Sequence, residues 1–74
     1  MKVVYADGTV GKITQEEGKN LYIHNRFTKS AWKELEDEMI RLNIVKFDEP
    51  NLSKVGFEMI SLEFVRDKIA SAEF

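Results

Sequence analysis

The chain of 74 residues contains no cysteine, one proline, four glycines and a single histidine. Without thiols no disulfide can staple the fold and no thiolate can hold a metal, so packing alone must stabilise it. A lone histidine, His24, leaves nucleophilic catalysis without a recognisable base and orienting partner, and leaves zinc without a ligand set. Charge of one sign is also missing. Lys and Arg number 11 against 13 Asp and Glu, for a net charge of −2 and a pI near 5.4. A dedicated nucleic-acid binder usually carries a basic surplus to neutralise phosphates. Apolar runs fall far short of a membrane span, and "MKVVYADG" turns polar too early for a signal peptide. The glycines of "DGTVGK" lack the loop length and the Gly-Lys-Ser/Thr ending of a phosphate loop, and "ELEDE" lacks the alternating ligands of a calcium loop. A cytoplasmic, non-enzymatic protein without cofactor, metal or membrane association is therefore expected.

What is there is the composition of a globular domain, 43% hydrophobic and 32% charged. Five Phe, two Tyr and one Trp help a small core offset the entropy of ordering the chain. The length allows one domain, 1–74, in the size range where independent folding is marginal.

Along the chain, "VVYADGTVGKI" reads as a hairpin. A two-residue turn at Asp7-Gly8 would set Tyr5 opposite Val10 and Val3 opposite Lys12. Val3, Tyr5 and Val10 would then share one face, with Val4, Ala6 and Ile13 on the other. "TQEEGKN" reads as a turn in which Gly18 can adopt a left-handed conformation. "LYIHNRF" alternates cleanly as a third strand, with Leu21, Ile23 and Phe27 on one side and Tyr22, His24 and Arg26 on the other.

"TKSAWKELEDEMIRLN" is an amphipathic helix. Thr28 or Ser30 can cap it, and Trp32, Leu35, Met39 and Leu42 form its apolar stripe. Asp37 precedes Arg41 by one turn, and Asn43 can close the helix in a left-handed conformation. "IVKFDE" is a fourth strand, stopped by Pro50-Asn51. The remainder reads as a strand to about Val65, then a helical or frayed end over about 66–74. The fold expected is α+β, a small antiparallel sheet in βββαββ order with one amphipathic helix on one face, and no internal repeat.

Two surface features could carry function. Glu34, Asp37 and Glu38, within "ELEDE", crowd carboxylates onto one end of the helix, as a solvated face or as an acidic patch for a basic groove. Tyr22, His24 and Arg26, with Val3 and Tyr5 of the hairpin, supply residue types that interfaces favour. One helix cannot cover both apolar faces of the hairpin, so Val3 or Tyr5 together with Tyr22 is expected at a contact with another chain, most simply a homodimer. The function expected by elimination is a small protein-binding module, an inhibitor or accessory factor of a larger bacterial or phage machine. One alternative is a nucleic-acid-binding regulator using Tyr22, His24 and Arg26; another is a self-associating structural subunit.

Overall fold

A computed structural model describes residues 1–23, 26, 28–48 and 59–71. Its elements are strands β1 (Lys2–Tyr5), β2 (Val10–Lys12), β3 (Ile44–Phe47) and β4 (Ile60–Ser61), and helices α1 (Lys29–Arg41) and α2 (Leu62–Ser71). The strands form one antiparallel sheet in the order β2-β1-β3-β4. This is an α+β domain as expected, but the described residues hold two helices rather than one. Among the described residues its order is ββαββα, not βββαββ.

The hairpin forms in a different register from the one a two-residue turn would impose. Tyr5 N–H donates to the Thr9 carbonyl at 2.8 Å and Gly8 N–H to the Tyr5 carbonyl at 2.9 Å, which encloses three residues, Ala6, Asp7 and Gly8. The Asp7 carboxylate accepts from the Thr9 backbone N–H at 2.9 Å and from its hydroxyl at 2.6 Å. Asp7 therefore acts through its side chain, and only Gly8, at φ 90°, takes the left-handed position that follows a type I turn. The consequence is a one-residue shift. Val3 now pairs with Gly11, Val4 with Val10 and Lys2 with Lys12.

That shift decides which residues face inward. Val3 is opposite Gly11 and Phe47, and Phe47 is opposite Ile60, so all four share a face. Val3, Phe47 and Ile60 are fully buried, in one core with Leu35 and Met39 of α1 and Val65 of α2. Both helices thus cover this inner face and pack on each other. An extra residue on β3, Val45, bulges opposite Val4 and Tyr5 and lets Ile44 also reach the core.

Local rules explain both helices. Thr28 accepts from Ala31 N–H at 3.1 Å as the cap of α1, and Asn43 at φ 60° follows its end, both as the sequence predicts. The C-terminal strand ends at Ser61 rather than near Val65. Ser61 accepts from Phe64 N–H at 3.0 Å and so caps α2, which turns Leu62, Val65 and Ile69 onto the core. The expected strand alternation at Val55 and Phe57, and the frayed end at 72–74, lie outside the described residues.

The turn at 14–20 is closed reciprocally. Glu17 N–H donates to the Thr14 hydroxyl at 3.1 Å, and Thr14 N–H donates to the Glu17 carboxylate at 3.0 Å. Gly18 is not left-handed here; it is required by crowding. A Cβ at Gly18 would stand 2.8 Å from Ile13 Cδ1 and 3.3 Å from both Leu21 Cδ1 and Met1 Sδ. Among the described residues, no helix is long and apolar enough to cross a membrane.

Candidate functional site

The expected strand over 21–27 does not form at its described residues, which belong to no strand. Arg26 organises them instead. Its guanidinium group donates to the carbonyls of Tyr22 (2.6 Å), Ala31 (3.0 Å) and Asn20 (2.6 Å). One carbonyl of the segment, that of Tyr22, is thereby taken by a side chain, which also ties the segment to Asn20 and to the first turn of α1. The Arg26 side chain is only 13% exposed, and it also lies 3.7 Å from Glu34. It is a clamp within the fold. Leu21 is fully buried, Ile23 packs on the core and Tyr22 is half-buried, whereas His24 lies outside the described residues. Val3 has no exposed surface, so it sits in the core and not at a contact face. Tyr5 is half-buried on the inner face, its ring crossing Gly11 with Cε2 3.0 Å from where a Cβ would be.

Most of the acidic run of α1 is neutralised by the chain's own arginines. Glu34 faces Arg26, Glu36 meets Arg66 of α2 at 3.0 Å, and Glu38 is bonded by Arg41. The predicted Asp37–Arg41 pair is replaced by this Glu38–Arg41 pair. Asn20 also donates to Glu38 at 3.0 Å, and the Glu38 side chain is only 11% exposed. Burial pushes the Glu38 carboxyl up, but the bonds from Asn20 and Arg41 and the charges of Arg41 and Lys19 outweigh it and hold it below its ordinary value. Asn20, Arg26, Glu34, Asp37, Glu38 and Arg41 line an open cavity of about 340 Å³, and most of them already satisfy one another.

The opposite face of the sheet is different. Lys2 with Lys12, Val4 with Val10, Val4 with Lys46 and Lys46 with Ser61 are cross-strand partners, which puts all of them on the outer face. Lys2, Lys12 and Lys46 are exposed, and Val10 is 61% exposed. Among the described residues no carboxylate lies within ion-pair distance of these three lysines. Lys2 and Lys12 stand directly opposite one another, an arrangement of like charges that destabilises a hairpin. The three arginines are thus all paired on the helical side, while three lysines without an ion-pair partner among the described residues share the outer sheet face with two valines. The sequence conceals this patch, because the three lysines are far apart in the chain and only the strand register assembles them.

Compared with protein-family profiles, with curated proteins and with solved structures, the chain matches none.

Proposed function

We propose that the chain is a small non-enzymatic protein-binding module, an inhibitor or accessory factor acting in the cytoplasm, that docks through the outer face of its sheet. The observation that carries this is the segregation of charge. Every arginine is engaged within the fold, whereas Lys2, Lys12 and Lys46, around Val4 and Val10, have no ion-pair partner among the described residues. An exposed Val10 beside a half-buried Val4, ringed by lysines, suits an interface with an apolar centre and a polar rim. The non-enzymatic part draws on the cavity at α1, whose ionisable groups are largely held by one another.

The same lysines favour a second reading, a nucleic-acid-binding regulator whose phosphate contacts come from this face rather than from Tyr22 and Arg26. Weighing against it, the described outer-face residues include no aromatic side chain on which a base could stack.

A photoreactive phenylalanine analogue at position 10, with position 33 on α1 as control, tests both in extracts of the source cells. A protease-sensitive adduct at position 10 but not at 33 is the expected result. A nuclease-sensitive adduct would move the assignment to the regulator, and adducts only at 33 would refute docking through the sheet.

A further inference from the structure

The outer face ends at an open edge, and the hairpin bonding fixes which backbone groups point out of it. Met1 and Ile13 exchange bonds at 3.1 and 2.9 Å, and Tyr5 N–H bonds to the Thr9 carbonyl. In an antiparallel ladder the residues between such pairs turn their backbone groups away from each other. Val10 and Lys12 therefore direct N–H and C=O outward from β2, the outermost strand of the described sheet. On β1 the corresponding groups of Lys2 are used, since its carbonyl accepts from Asp48 N–H at 2.9 Å. On β2 the described residues supply no such neighbour.

We infer that β2 accepts an extended segment of an acidic protein partner as an additional strand, with an apolar side chain beside Val10 and a carboxylate beside Lys12. This rests on the docking function proposed above and names its partner. Strand addition draws affinity from main-chain bonds and selectivity from alternate side chains. Here the alternate positions on the outer face are Val10 and Lys12, and the position between them lies across Gly11, beside the Tyr5 ring. A carboxylate next to Lys12 would also relieve the repulsion between Lys12 and Lys2. A second copy of this chain fits badly. Antiparallel pairing of two β2 strands about Gly11 would gather Lys2 and Lys12 of both copies on one face. A nucleic acid cannot use the outward N–H and C=O pairs as a ladder.

The probe is a short blocked peptide with Glu-Thr-Val at its centre, which in antiparallel register sets Glu beside Lys12 and Val beside Val10, titrated into the full chain and followed by amide exchange. Slower exchange at Val10 and Lys12, absent when Lys replaces Glu in the peptide, is expected. Lys12→Glu should weaken the Glu peptide about tenfold and strengthen the Lys peptide, the signature of a charge pair in register. That variant replaces a repulsive pair by an attractive one, so its fold is not at risk. An N-methylated peptide that bound as well as its parent would overturn strand addition, as would displacement of the peptide by a tighter-binding oligothymidylate. A protein adduct at position 10 combined with no protection of Val10 and Lys12 would refute the added strand and leave face docking standing. Loss of both would remove the two together.

Discussion

Trp32 of α1 meets Phe64 of α2 edge to face, with ring centroids 6.0 Å apart and planes inclined at 73°. Trp32 therefore joins the two helices as well as packing on the core. Trp32→Ala should cost about 3 kcal/mol, the low end for a large aromatic because the ring is half-buried. A double-mutant cycle with Phe64→Leu should return a coupling of about 0.5–1.5 kcal/mol in urea unfolding. Additive losses would show that the ring pair contributes nothing beyond area.

Arg26 should behave as a structural residue. Arg26→Met removes a guanidinium that serves three carbonyls and should destabilise the fold by about 2–3 kcal/mol. Arg26→Lys should recover less than half of this, since a compact ammonium does not reproduce the planar fork. Denaturant midpoints for the two variants decide it.

Gly18→Ala should cost about 1–3 kcal/mol through overpacking against Ile13 Cδ1. Ile13→Val, which removes that methyl group and alone costs about 0.5–1.5 kcal/mol, should partly rescue the alanine variant. A double mutant less stable than the sum of its parts would rule out the crowding explanation.

Acid should loosen the α1 surface through Glu38. Its folded-state pKa lies below the ordinary 4.5, so the stability it contributes is fully present above that value. As pH falls through 4.5 and then through the lower folded value, that contribution is lost. Thermal melts should show a shallower acid dependence in Glu38→Gln, and an unchanged dependence would exclude Glu38 as a source.

Much of this fold is legible in the sequence wherever a local rule decides. Thr28 as cap, the Leu35–Met39 stripe and Asn43 as terminator place α1, and Ile44–Phe47 reads as the strand it is. The misreadings arise where a side chain competes for the backbone. Asp7 bonds Thr9 and lengthens the turn, Arg26 takes the Tyr22 carbonyl inside a clean alternation, and Ser61 caps a helix where a strand would continue. The candidate docking face is a product of register. Lys2, Lys12 and Lys46 become neighbours only once the hairpin is shifted by one residue, so no local pattern could announce them.

The described strand order has β1 and β3 at the centre and β2 and β4 outside, and α1 is the next described element after β2 as α2 is after β4. The described elements thus fall into two halves, each a pair of antiparallel strands with a helix, the first ending at α1 and the second starting at β3, joined across the β1–β3 seam and the Trp32–Phe64 contact. Only Leu42 and Asn43 connect them. A half on its own has an uncovered apolar face, so two fragments cut at Asn43 should fold together and neither alone. An extended connection at Asn43 would let two copies exchange halves while keeping every interface.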